Sequence, residues 1–271
     1  MSDQHNGYTV EPFPPMRRFA LDAGYLGRRK HIVHGLLEVD VTDARRAIRA
    51  HEAATGEKRS FTAFIVACLA KAVEANRHVQ AYRVWRNRLI IYDDVNVNTM
   101  IEADWQGRKI VVPHIIRAAN RRTLKEIHDE IRAAQAHPRQ GVETKFMRWF
   151  LHLPAFVRRV FYWITLNFPQ YFREFTSPVL VSAVGMFGHG GGWGIPMPTF
   201  TLTVTLGGIA GKPGAVDGRI EIREYLDVTL SFDHDVIDGA PAARFTQRFK
   251  ELIETSYGLM ETYSPQEATH A

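Results

Sequence analysis

Apolar residues recur along the chain with two different periods, and each change of period marks an element. HIVHGLLEVDV (31–41) alternates and predicts a strand, after which Thr42 or Asp43 is placed to cap a helix through Arg45–His51. Gly56 punctuates the loop that follows. Ser60-Phe61-Thr62 opens a second helix, with Phe64, Ile65, Cys68, Leu69, Ala72 and Val73 on one face. AYRVWRNRLIIYDDVNVNTMIEAD (81–104) and KIVVPHII (109–116) read as strands broken by turn residues. RRTLKEIHDEIRAAQAH (121–137) is an amphipathic helix with Leu124, Ile127 and Ile131 inward. SPVLVSAVGMFGHGGGWGIPMPTFTLTVTLGGI (177–209) reads as strand, glycine-rich loop, strand. EYLDVTLSF (224–232) alternates again, and Phe245, Phe249, Leu252 and Ile253 then recur at helical spacing.

Strands and helices alternate, which predicts an α/β fold: a two-layer sandwich with a mixed β-sheet and helices packed on it. There is neither an internal repeat nor a clear linker. One domain over 16–260 is therefore expected, preceded by a polar, Pro-rich arm (1–15) and followed by a tail (261–271).

One stretch breaks the texture. FMRWFLHLPAFVRRVFYWITLNFPQYF (146–172) is dense in aromatics, and its uncharged part, Val160 to Phe172, is 13 residues long. A spanning helix needs about 20, so an interfacial helix or a surface for self-association is the better expectation.

Composition adds limits. The 271 residues are 45% apolar and 23% charged, as in an ordinary soluble globular protein. A net charge of +5 favours polyanionic ligands, acidic proteins or anionic lipid. The clusters Arg28-Arg29-Lys30, Arg121-Arg122 and Arg158-Arg159 read as solvated faces, and no nucleic-acid-binding signature accompanies them. Cys68 is the only cysteine, so it has no partner for an intramolecular disulfide, and its apolar neighbours make it a core thiol rather than a nucleophile. The N-terminus lacks a secretory pattern. A cytoplasmic protein is expected, with peripheral membrane contact through 146–172 as the variation.

The candidate chemistry lies in SFDHDVIDGAPAARF (231–245), a sharp strand-to-helix junction carrying His234, Asp238 and Gly239. A neutral imidazole held at a strand end can take a proton from a thiol or hydroxyl near neutral pH. The competing reading is a buried, satisfied histidine beside an aspartate that caps a helix beginning near Pro241. Spacing alone leaves both open. His189, in the glycine loop, reads as an exposed loop residue rather than a metal ligand. The loop has no Gly-Lys-Ser/Thr ending and is not a phosphate-binding loop. No metal is expected.

FDHDVIDGAPAARF resembles the D-H-R-x-x-D-G-A-x-A-A-R-F signature of the 2-oxo acid dehydrogenase acyltransferases (E2 components), which share the chloramphenicol acetyltransferase fold. EVDVTDARRAI (38–48), SFTAFIVACLAKAV (60–73), VNVNTMIEA, GRKIVVPHIIRAANRRTLKEI (107–127) and VSAVGMFG (181–188) resemble further family segments in the family's order. The resemblance implies CoA-dependent acyl transfer to a thiol or other nucleophile, with coenzyme A or acyl-CoA as substrate. His234 would be the general base. Ser182 would donate to the tetrahedral oxyanion, against the plainer reading of a strand serine bonded to backbone. Asp238 and Gly239 would shape the turn, with Asp238 ion-paired to Arg17 or, next, Arg18. A homotrimer is implied, with the histidine facing a channel lined by a neighbouring subunit, and a larger assembly on the pattern of some relatives.

The departures are as informative. Asp235 stands where the family has arginine, and a carboxylate beside the base would favour the imidazolium. GHGGGWGIPMP replaces the family's approach to the next strand and is expected to make tight turns or a lid. Residues 146–172 stand where the family has a short polar connection. The sequence holds no lipoyl attachment site, so a lipoylated or carrier-protein partner would supply the acyl carrier. Two alternatives follow: a catalytically idle trimer that scaffolds a complex, and a membrane-surface acyltransferase acting on lipidic substrates.

Overall fold

The computed structural model describes residues 3–5, 8–14, 17–105, 108–136, 145–172, 177–185, 190–197 and 199–259. The arm contributes a small hairpin of β1 (Asp3–His5) and β2 (Tyr8–Val10). A second, β4 (Tyr82–Val84) with β5 (Arg88–Ile90), stands apart from the main sheet.

The main sheet runs in the order β3 (Ile32–Asp40), β10 (Arg219–Asp233), β9 (Leu202–Val216), β8 (Val179–Ala183), β6 (Val97–Trp105), β7 (Arg108–Ile116). It is mixed: β8 lies parallel to both β6 and β9, and the other pairs are antiparallel. β9 and β10 form a long hairpin closed by Asp217 and Gly218, both at positive φ (48° and 79°), where glycine meets no steric cost. The Asp-Gly dipeptide is a legible hairpin signal.

Alternation along β10 separates two faces. Leu226, Val228, Leu230 and Phe232 join the core, and they share that face with Val204 and Leu206 of β9 and with Val179 and Val181 of β8. Against it pack the helices. α3 (Phe61–Ala75) buries nine of its residues on all sides, including Cys68. α7 (Gly239–Glu254) packs on α3 and stacks Phe245 on Phe249, with Phe245 edge-on to Phe232 at 5.8 Å. α4 (Leu124–Ala136) presents Leu124, Ile127 and Ile131 inward, as its periodicity requires.

Two helix starts differ from expectation. α2 (Thr42–Thr55) begins at Thr42 itself, with Val41 at the N-cap; Asp40 Oδ1 accepts the Thr42 N–H at 2.9 Å, one residue pair upstream of the anticipated cap. α7 begins at Gly239, two residues before Pro241. Ser60 does cap α3, its hydroxyl accepting from the Ala63 N–H at 3.3 Å.

The second face of the sheet is polar and buried: Thr203 and Thr205 of β9 beside Asp227, Thr229 and Ser231 of β10. The described part of the glycine-rich loop lies on it. Gly192 N–H donates to Asp227, Gly208 N–H donates to Gly192 O at 3.0 Å, and Trp193 Nε1 donates to Leu37 O at 3.2 Å. A Cβ on Gly207 would sit 2.0 Å from Gly192 O, so backbone packs directly on backbone. These glycines serve close approach, and residues 190–194 are pinned to the sheet rather than arranged as a lid. His189 lies outside the described residues.

The aromatic stretch forms α5 (Lys145–His152) and α6 (Ala155–Asn167), and α6 packs beside α1 (Arg17–Gly27). No helix among the described residues is long and apolar enough to cross a membrane.

Candidate functional site

His234 follows the last residue of β10. Its backbone N–H donates to His31 O at 2.7 Å, and Asp233 N–H donates to Thr201 O at 2.9 Å, so both neighbouring strands hold the turn. Val236 and Ile237 N–H both donate to Asp233 O at 3.0 Å. Asp233 is buried and ion-paired with Lys30. The backbone is fixed, but the His234 side chain is exposed and makes no hydrogen bond among the described residues. The expected desolvated, satisfied imidazole is therefore not present in a single chain.

Asp235 does not direct its charge at His234. His31 Nδ1 lies 2.9 Å from Asp235 Oδ1, where the ring N–H must donate to the carboxylate, and Arg83 Nη1 donates to Asp235 Oδ2 at 2.9 Å. The His31 hydrogen bond, together with the charges of His31 and Arg83, holds the Asp235 carboxyl below its ordinary range. Sequence reasoning singled out Asp235 and missed both partners, because they come from β4 and from the residue preceding β3.

The proposed brace is not formed. Asp238 is the N-cap residue of α7, yet its exposed side chain makes no capping bond. Arg17 is exposed at the start of α1, and no ion pair joins it to Asp238 among the described residues. The cation that reaches the junction from this segment is Lys30, onto Asp233. Arg18, the other candidate, donates to Leu151 O at 2.6 Å. Gly239 has ordinary φ and open space around a notional Cβ, so the fold does not require glycine there.

Ser182 lies on β8, half-buried, on the sheet face away from the helices, and its hydroxyl is not tied to backbone among the described residues. It is level with Thr205 on β9 and hence with Thr229 on β10, five residues before His234 and two strands away. Strand rise and spacing place Ser182 and His234 of one chain about 19 Å apart. One chain does not bring them to one acyl group.

On the helix-covered face of the sheet, opposite to Ser182, a cleft of about 480 Å³ reaches Ala183 at the end of β8. Its walls come from α2, the start of α3 and the loop before it, α4 and the middle of β6. They carry Arg45, Arg49, Lys58, Arg59 and Arg132 against Glu52 and Glu102, with Glu224 ion-paired to both Arg45 and Arg49. Such a surplus of cations suits a polyanionic ligand. The i, i+4 pair Arg45 and Arg49 was its signal in the sequence. Among the described residues, no cluster of His, Cys, Asp and Glu could hold a metal ion.

The chain matches the model of 2-oxoacid dehydrogenases acyltransferase (catalytic domain) over residues 30–144 and 175–261, leaving 145–174 between the matched stretches. It is 36% identical over 92 residues, 34% of this chain and 20% of the relative, to the dihydrolipoyllysine-residue acetyltransferase component of the pyruvate dehydrogenase complex of Zymomonas mobilis. The chain spans less than half the length of the curated relatives it matches. Among solved structures it is similar to a probable dihydrolipoamide acetyltransferase from Listeria monocytogenes (TM-score 0.69, 19% identity, covering 92% of this chain and 96% of that one). It is also similar to the Azotobacter vinelandii dihydrolipoamide acetyltransferase (TM-score 0.68, 18% identity, 93% and 94% covered), studied for the catalytic roles of a serine, a histidine and an asparagine four positions after that histidine. At these identities the structural likeness speaks to the fold: a mixed sheet layered with helices, shared with acyltransferase catalytic cores.

Proposed function

The chain belongs to the 2-oxoacid dehydrogenase acyltransferase (catalytic domain) family, and from that premise we propose that it moves acyl groups between coenzyme A and a thiol, of dihydrolipoyl type, in a site shared by two copies. The observation that carries the shared site is the separation of Ser182 from His234 within one chain, with both side chains unengaged. The site is completed when His234 of one copy meets the Ser182 face of β8 in another, which also supplies the desolvation that the exposed imidazole lacks. Ile220 and Ile222, exposed on the projecting end of the β9–β10 hairpin, give a second copy apolar surface to cover.

In this reading, the His234 imidazole takes the thiol proton and the thiolate adds to the acyl thioester carbonyl. The oxyanion accepts a hydrogen bond from Ser182 Oγ–H, and collapse expels the coenzyme A thiolate, which recovers the proton from the imidazolium. The reverse direction uses the same groups. Asp238 stands four positions after His234, the spacing of the histidine and asparagine studied in the Azotobacter enzyme. The phosphates of coenzyme A occupy the basic cleft that opens at Ala183, the residue after Ser182 on β8, on the helix side of the sheet. The acyl carrier is a lipoylated partner chain.

The test is thiol exchange between a panel of acyl-CoAs and dihydrolipoamide, with wild type and His234→Ala compared. The variant should lose at least about a hundredfold in kcat. Equal rates in the two proteins would remove His234 from the mechanism.

A further inference from the structure

The α5–α6 hairpin is built inside out. At about 100° per residue, Phe156, Val160, Trp163 and Ile164 fall within one third of the circumference of α6, and all four are exposed, Phe156 to 68% and Trp163 to 45%. The opposite side carries Arg158 and Thr165, which are buried. Arg158 Nε and Nη2 meet the buried Asp22 carboxylate of α1 at 2.7 and 3.2 Å, and Arg158 Nη1 donates to Leu153 O at 2.5 Å. Rolling α6 to hide its aromatics would strip that guanidinium from its carboxylate, so the apolar side is locked outward. Trp149 of α5 is exposed as well.

Charge indicates what covers this face. Residues 145–172 contain four Lys or Arg residues and no acidic one. Arg159 borders the apolar arc and lies 3.7 Å from the Tyr25 ring, over which Arg29 also sits at 5.7 Å, so two guanidinium groups gather at the seam of α1 and α6. Arg28 and Arg29, just beyond α1, are exposed. A two-fold pairing of this face with itself would set these cations against one another. An aromatic arc bordered by arginines instead fits the acyl–headgroup boundary of an anionic bilayer, which takes the rings while its phosphates take the guanidinium groups. The 13 residues of α6 are about 20 Å long, too short to span. The segment lies between the two stretches matched to the family, so the face is an addition to the shared fold.

We propose that the outward face of α6, with Trp149, docks this protein on the surface of an anionic phospholipid bilayer, with α6 lying in the membrane plane. The proposal stands independently of the acyl-transfer reading. Its test is co-sedimentation of the full chain with phosphatidylcholine vesicles with and without phosphatidylglycerol. Binding should require the anionic lipid and weaken as salt rises. The variant F156S/V160S/W163S should bind at least about tenfold more weakly at an unchanged melting temperature. A charge reversal outside the hairpin, R28E/R29E, should weaken binding to the anionic vesicles and serves if the triple variant fails to fold. Wild-type protein that stays in the supernatant at low salt overturns the proposal. So does undiminished binding by both variants. Self-association that the triple variant abolishes, without vesicle binding by the wild type, would assign the face to a second copy.

Discussion

The backbone amide of His234 is hydrogen-bonded to the carbonyl of His31, 2.7 Å away, and the two side chains that flank this bond from either strand, His31 and Asp235, are themselves joined. The junction at His234 is thus fixed by the residue where the chain enters β3, with Arg83 clamping Asp235 from the side.

That clamp gives a prediction with a sign. Asp235 has its folded-state pKa lowered, first by the His31 hydrogen bond and then by the nearby charges. Its ionised form therefore contributes stability above the unfolded value of about 4, and the contribution is lost as pH falls through the depressed folded value. Asp235→Asn should lower stability near neutral pH by about 1 kcal/mol or less. The gap between variant and wild type should close below pH ~4, as urea titrations across pH would read. Asp235→Arg, which supplies the residue of the family signature, should destabilise more than Asp235→Asn because it sets a second cation against Arg83 and leaves the His31 N–H without its acceptor. A rise in melting temperature in Asp235→Arg would contradict the clamp.

The Arg158–Asp22 pair should be costly to break from one side. Arg158 is 5% exposed and Asp22 1%, so Arg158→Met leaves a buried carboxylate uncompensated, a loss of about 3–5 kcal/mol. Asp22→Leu combined with Arg158→Met should recover most of it, since burying two apolar groups carries no such penalty. Chemical denaturation of the single and double variants reads both values. An Arg158→Met loss below about 1 kcal/mol would show that the hairpin is not held by this pair.

Much of this architecture is written in local pattern. The α3 and α4 helices and the α7 face follow from period alone, because each presents its apolar set to one core. β3 is legible as a strand, although Val33 and Leu36 of its apolar set are exposed. Pairing partners are another matter. Arg83 meets Asp235 across 152 residues and Arg158 meets Asp22 across 136, and no window of sequence contains either pair. The α5–α6 stretch shows the limit most plainly. Its aromatics and arginines are legible as composition, but an arginine turned inward and a tryptophan turned outward reverse what amphipathic pattern alone would assign.

The basic cleft should act on binding rather than chemistry. Lys58→Glu with Arg132→Glu reverses two cations on its wall without touching His234 or Ser182. KM for acyl-CoA should rise by about tenfold or more while kcat changes little, the mark of an interaction made equally in ground and transition states. The wild-type KM should also rise with salt. An unchanged KM in the double variant would move the coenzyme A phosphates out of this cleft.

The sharpest test of the shared site uses two dead proteins. Ser182→Ala should cost about 10²–10³ in kcat through loss of an oxyanion donor, and His234→Ala about 10² or more through loss of the base. If both groups served one acyl transfer within a single chain, mixing the two variants would restore nothing, because every chain would lack one group. The register of β8, β9 and β10 keeps the two groups of one chain about 19 Å apart. A site that takes His234 from one copy and Ser182 from its neighbour is whole wherever a Ser182→Ala chain presents its histidine to a His234→Ala chain presenting its serine. In an equimolar, randomly assembled head-to-tail ring this holds for about one site in four. Co-expressed variants should therefore recover roughly a quarter of wild-type activity, while each variant alone stays at background. Recovery near zero, in assemblies shown by mass to be mixed, would return both residues to one chain or take Ser182 out of the reaction.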